Sequence, residues 1–186
     1  MPLEYPDPEL RSDLVHLREW SYDDLPCIEA ASTDPRIPQG TTVPADVTDE
    51  AARAFSERQW DRRTSGRGLS LAIVDAGTDE AKGLVVLGLG PRRGHCDLGY
   101  WLVPAARRRG LGTDAVRLMS RWVLTETDVH RLVAQVVPDN VPSIALLRRL
   151  GFSEEGRLRS WLWIGDDAVD VLQFSLLRSD LARATS

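Results

Sequence analysis

Arg107-Arg108-Arg109-Gly110-Leu111-Gly112 stands between two stretches of contrasting periodicity. Before it, residues 95–103 alternate in the manner of a strand. After it, Ala115, Leu118, Met119, Trp122 and Val123 recur at i, i+3, i+4, i+7 and i+8, one apolar helical face. A strand, a basic glycine turn and an amphipathic helix in that order make an anion cradle. Glycine lets the backbone bend tightly and approach a ligand, and successive N–H groups converge near the positive end of the helix. Arginines add attraction and bidentate contacts. On residues alone the same loop also reads as a solvated basic turn. No Lys-Ser or Lys-Thr follows it as in a Walker loop, and Gly88, Gly90 and Gly94 have the wrong spacing for a dinucleotide fingerprint.

Outward from the loop, residues 69–74, 83–89 and 95–103 are joined by short turns and predict an antiparallel meander. The segment 132–137 follows the helix and predicts a strand parallel to 95–103, since one crossover separates them. Asn140 and Pro142 open a short helix that Gly151 closes. The runs 157–164 and 169–176 flank Gly165-Asp166-Asp167 as a hairpin. Toward the N-terminus, residues 14–19 predict a strand, Ser21 caps a short helix, 33–47 reads as a loop, and 48–63 reads as a helix. Residues 1–12, with Pro2, Pro6 and Pro8, read as an extended arm. The expectation is one α/β domain over 1–186, with a mixed, mostly antiparallel sheet of six to seven strands and flanking helices.

Composition narrows the function classes. The chain has 186 residues, 42% of them hydrophobic, enough for a core. A net charge of −5 gives no global basic field for nucleic acid. No apolar run is long enough to span a membrane, and the first ten residues lack the features of a signal peptide. Cys27 and Cys96 read as reduced thiols of a cytoplasmic protein. Neither they nor His16, His95 and His130 have metal-ligand spacing, so no metal is expected.

At the anion loop the chain resembles the GNAT superfamily of N-acetyltransferases. Arg107, Gly110 and Gly112 match its motif Gln/Arg-x-x-Gly-x-Gly/Ala. Asp97-Leu98-Gly99-Tyr100-Trp101-Leu102, Asn140-Val141-Pro142-Ser143 and Gly151-Phe152 resemble the RimJ/RimL subgroup. So do the opening Leu17-Arg18-Glu19-Trp20 with Asp23-Asp24-Leu25, and the closing Asp170 with Leu176-Leu177. The resemblance spans roughly residues 14–178.

The resemblance implies that two parallel central strands splay and that acetyl-CoA lies between them. Leu102 and Val103 would offer backbone groups to the pantetheine. The N–H groups of Arg108, Arg109, Gly110, Leu111, Gly112 and Thr113 would hold the pyrophosphate, with Arg107 beside them. Asn140 would bind pantetheine or cap its helix. Arg148 and Arg149 would solvate a helix face or meet the 3′-phosphate. The acceptor is an amine, either a small molecule or a protein N-terminus, and a homodimer is a common family state.

The chemistry demands a neutral amine. An α-amino group has a pKa of ~7.7–8.0 and a lysine ~10.4, so a base must remove a proton. Asp97, ten residues before Arg107, is the first candidate base, directly or through water. Glu154 and Glu155 are alternatives, or solvated turn residues. Ser143 is the candidate donor to the leaving sulfur. Leu147 occupies the position where many relatives carry a tyrosine acid. Trp101, Trp161 and Trp163 either line an acceptor cleft or fill core. Two alternatives stay open: transfer of a larger acyl group such as succinyl, and an acyl-CoA sensor without turnover.

Overall fold

A computed structural model describes residues 2–183. Met1 and residues 184–186, part of the expected domain span, lie outside the described residues. In chain order the elements are β1 (Leu10–Arg11), β2 (Val15–Arg18), α1 (Leu25–Ser32), α2 (Arg36–Gly40), α3 (Asp49–Thr64), β3 (Gly68–Asp75), β4 (Glu80–Leu89), β5 (His95–Leu102), α4 (Leu111–Glu126), β6 (Arg131–Val136), α5 (Val141–Arg149), β7 (Ser153–Ile164), β8 (Asp167–Leu177) and α6 (Arg178–Arg183). The strands form one sheet in the order β1-β2-β3-β4-β5-β6-β8-β7. β5 and β6 are parallel, and all other neighbours are antiparallel. The sheet has eight strands, not six or seven. The extra one, β1, is a two-residue strand inside the expected arm.

Both faces of the central strands are covered, and the alternation of β3 shows why. Leu69, Leu71 and Ile73 join a core beneath α4, whereas Ala72 and Val74 join a second core beneath α1 and α3. Every residue of β3 is buried, the pattern of a strand with helices on both sides. α4 contributes Ala115, Val116, Met119, Val123 and Leu124, each fully buried. A large apolar side chain removed from water contributes about 1.5–3 kcal/mol, so this stripe fixes α4 on the sheet. On the other face Trp20 meets Phe55 edge-on at 5.4 Å, and the Trp20 indole N–H donates to Ser56.

Local signals set the helix starts. Ser21 and Asp24 form a capping box ahead of α1, and Thr48 caps α3. The segment 33–47 is not wholly loop: α2 is a five-residue helix despite two prolines. Pro35 sits at its cap and Pro38 in its first turn, where no N–H is needed, and buried Ile37 anchors it.

Candidate active site

The parallel pair β5–β6 is short. Its register covers His95–Arg131, Cys96–Leu132 and Asp97–Val133, and stops there. Beyond that point β5 stays paired with β4 as far as Leu102, and β6 stays paired with β8 as far as Val136. Residues 98–102 and 134–136 therefore border a gap within an otherwise continuous sheet. Backbone groups along such a gap require partners from outside the ladder. A cavity of about 1480 Å³ occupies the gap. Leu98, Gly99, Tyr100, Trp101 and Leu102 all line it. Since side chains alternate along a strand, the cavity reaches both faces of the sheet.

Leu102 and Val103 part company at this edge. The Val103 N–H donates to the Lys82 carbonyl at 2.9 Å, so its amide faces β4. Val103 is 4% exposed, packs in the core beneath α3, and does not border the cavity. That corrects the expectation that it offers a backbone group. Alternation turns the Leu102 amide to the gap, where its carbonyl accepts from Arg107 Nε at 3.2 Å.

The anion loop opens α4 without a side-chain cap. The first helical bond runs from the Asp114 N–H to the Gly110 carbonyl, so the N–H groups of Leu111, Gly112 and Thr113 precede the ladder. Leu111, Gly112 and Thr113 all border the cavity. Gly110 turns the chain at φ 87°, and Arg108 sits left-handed at φ 61°, a conformation that costs a side-chain-bearing residue about 1–2 kcal/mol.

The three arginines have three different fates. Arg107 pairs with Asp34 at 2.6 Å and ties the loop to the α1–α2 junction, lowering the Asp34 pKa chiefly through that hydrogen bond. Arg109 turns away to Asp75 at 2.8 Å and does not border the cavity, so its side chain is a clamp on the β3–β4 corner rather than an anion ligand. Arg108 borders the cavity and has no partner among the described residues. This geometry fits a diphosphate: uncapped N–H groups, a positive helix end and one free guanidinium.

Tyr100 and Ser143 meet across the gap, their hydroxyl oxygens 2.7 Å apart. Burial pushes the Tyr100 phenol up to about 12, with the Ser143 contact opposing, so it keeps its proton at neutral pH. Asn140 caps α5, its Oδ1 accepting the Ser143 N–H at 3.3 Å, and it too borders the cavity. Leu147 is fully buried in the core beneath α4, so a tyrosine there would have no route to the cleft. Tyr100 is the site residue that sequence reasoning missed. It stood inside the quoted 97–102 segment, but nothing in the spacing told that its phenol meets Ser143.

Asp97 occupies the last paired position of the seam. It is exposed and does not line the cavity. Desolvation raises its carboxyl pKa, partly opposed by His95. Glu154 and Glu155 are strand residues of β7, not turn residues. Glu154 pairs with Arg148, and Glu155 is held by Arg131, Ser175 and Gln173. The Arg131 contact is the main reason the Glu155 carboxyl falls to about 2, which makes it a poor proton acceptor. Trp101 borders the cavity, whereas Trp161 and Trp163 are exposed outside it. Arg149 borders the cavity. Cys27 and Cys96 are buried free thiols pushed up to about 12 by burial. Among the described residues no helix is long and apolar enough to cross a membrane.

Comparison with known proteins agrees with this geometry. The model of the acetyltransferase (GNAT) domain matches residues 15–153. An uncharacterized N-acetyltransferase p20 of Bacillus licheniformis is 26% identical over 174 residues, covering 93% of this chain and 98% of that protein. The [Ribosomal protein uS5]-alanine N-acetyltransferase of Escherichia coli is 35% identical over 69 residues, 37% of this chain and 36% of that protein. In fold, the chain is similar to RimL, a ribosomal L7/L12 alpha-N-protein acetyltransferase solved with coenzyme A. The TM-score is 0.78 at 18% identity, over 91% of this chain and 97% of that one. With a splayed parallel seam, an uncapped basic helix start and a family match over most of its length, the chain belongs to the GNAT acetyltransferases, the acyl-CoA-dependent N-acetyltransferases that use acetyl-CoA.

Proposed function

We propose that the protein transfers an acetyl group from acetyl-CoA to a primary amine, by direct attack in a ternary complex. The observation that carries this reading is the Tyr100–Ser143 hydroxyl pair at 2.7 Å, spanning the gap that begins beside the anion loop. Bound acetyl-CoA supplies the acyl group and a thiolate leaving group. Arg108 and the N–H groups of Gly110, Leu111, Gly112 and Thr113 hold its diphosphate, and the Leu102 amide and Asn140 face its pantetheine. Ser143 holds a proton at Oγ for the departing sulfur, the Tyr100 phenol, still protonated at neutral pH, restores it, and water in the cleft reprotonates the phenol. Asp97 takes the amine proton through water. On the cavity wall Asp34 and Asp170 are committed to Arg107 and Arg157, and Asp139 and Asp167 lie on the far side, before α5 and at the start of β8; Asp97, outside the wall, stands at the last paired position of the seam, where the gap begins.

The phenol beside Ser143 favours an enzyme over a sensor that only binds acyl-CoA. Free-thiol release with purified protein, acetyl-CoA and a panel of N-terminal peptides, polyamines and aminoglycosides tests this. Tight CoA binding with no turnover on any amine overturns the catalytic reading. Comparing kcat/KM for acetyl- and succinyl-CoA decides between acetyl transfer and transfer of a larger group. We place the reaction in the cytoplasm, and light scattering tests the homodimer that the family resemblance implies.

A further inference from the structure

The cavity continues onto the sheet face covered by α3, away from the anion loop. Arg62, in the last turn of α3, borders it there with Gln59, Val86 and Gly99. Among the described residues the Arg62 guanidinium has no hydrogen bond and no ion pair, and its Nε is buried without a partner. The neighbouring arginines are matched: Arg63 pairs with Glu4 and Arg67 with Asp61. Desolvation, then repulsion from Arg67, lowers the Arg62 pKa, and no acid is near enough to offset either.

Burying a guanidinium N–H without an acceptor costs free energy. The cavity carboxylates give no relief. Asp34 is held by Arg107, Asp170 is held by Arg157 and the Ser160 N–H, and Asp139 and Asp167 belong to the far side, before α5 and at the start of β8. Gln59 is 1% exposed, with its amide nitrogen bound to the Phe55 carbonyl. The wall therefore offers donors and a cation with no anion of its own. Val86 and Gly99 pair across β4 and β5, so β5 raises no side chain from the floor at this point.

We propose that Arg62 recognises an anionic group, carboxylate or phosphate, carried by the acceptor close to its amine. The substrate class is then an anionic primary amine, oriented by a fork of guanidinium N–H donors. This rests on the acyl-transfer reading above and names the acceptor of the same site.

Three tripeptide amides test it: Ala-Gln-Ala, Ala-Glu-Ala and Ala-phosphoserine-Ala, with kcat/KM measured for each by thiol release. The native enzyme should prefer an anionic peptide to the neutral one by at least tenfold. The Glu and phosphoserine arms tell which anion fits. In Arg62→Gln the ratio should fall to about one. Arg62→Lys, which keeps the charge and loses the fork, should retain part of it. Thermal melting of both variants controls for folding. Equal rates on all three peptides, or no turnover of any by an enzyme that binds CoA, overturn the proposal. So does an Arg62→Gln that loses CoA affinity instead of acceptor preference, which would assign Arg62 to the donor. Failure of the native protein to bind CoA at all would instead sink the acyl-transfer reading on which it rests.

Discussion

Removing the Tyr100 hydroxyl should cost more in rate than in stability. The Tyr100–Ser143 contact is 2.7 Å, the usual length of a good O–H···O bond. A neutral hydrogen bond contributes about 0.5–1.5 kcal/mol net, and Ser143 borders the cleft, where water can replace the phenol. Tyr100→Phe should therefore lower stability by about 1 kcal/mol, a Tm shift of roughly 2–4 °C at this length. Catalysis is a different matter. A positioned general acid contributes about 10²–10⁴-fold. If Ser143 gives the proton and Tyr100 returns it, Ser143→Ala should reduce kcat by about 100-fold or more, and Tyr100→Phe by roughly 10- to 100-fold. KM for acetyl-CoA should move less than kcat in both. Groups acting in series are not additive, so the double variant should match Ser143→Ala alone. Steady-state thiol release on the four proteins measures this. A double variant whose loss is the product of the two single losses refutes the relay, and an unchanged kcat in Ser143→Ala removes the pair from the chemistry.

Arg108→Ala should weaken CoA binding by about 10- to 100-fold, the value of a charge-assisted contact, while Arg109→Ala should act on melting temperature by freeing Asp75; calorimetric titration and thermal melts separate the two. Asp97→Asn should suppress kcat/KM most above the Asp97 pKa, which desolvation has raised, and change it little below, where the native carboxyl is protonated and idle too; a rate equal to the native enzyme across pH would remove Asp97. Gly68→Ala should be among the most damaging single changes, at several kcal/mol, since its φ is 144° and a Cβ would lie 1.9 Å from the Leu87 carbonyl oxygen; an unaltered Tm would refute that geometry. Glu155 has its pKa depressed from 4.5 to about 2, so its contribution is fully present above pH 4.5 and disappears as pH falls toward 2; Glu155→Gln should flatten melting temperature against pH in that window.

The elements with strong periodicity were legible from the residues. The α4 stripe, the meander and the hairpin follow from apolar spacing and glycine turns, and the parallel β5–β6 pair follows from a single crossover. Short elements escaped because their stabilisation is tertiary. α2 exists because Ile37 is buried, and β1 exists because Leu10 and Arg11 lie beside β2. At the site, the sequence indicated where the anion loop lies but not where its side chains go. Three consecutive arginines look alike in sequence; Asp34 and Asp75, 73 and 34 residues before their partners, distinguish them. The Tyr100–Ser143 pair is hidden for the same reason, since 43 residues separate its members. The opposite failure occurred at Glu155, where a residue read as solvated proved to link β6, β7 and β8 through Arg131 and Ser175.

Among the described residues the strand ladder between the two leaves of the sheet, β1 to β5 on one side and β6 to β8 on the other, has only three register positions. Whatever lodges in the cleft touches both leaves, so occupancy and rigidity are one variable. Amide exchange at β6 should slow when the cleft is filled, even at positions the ligand never reaches, because opening the seam then requires expelling the guest.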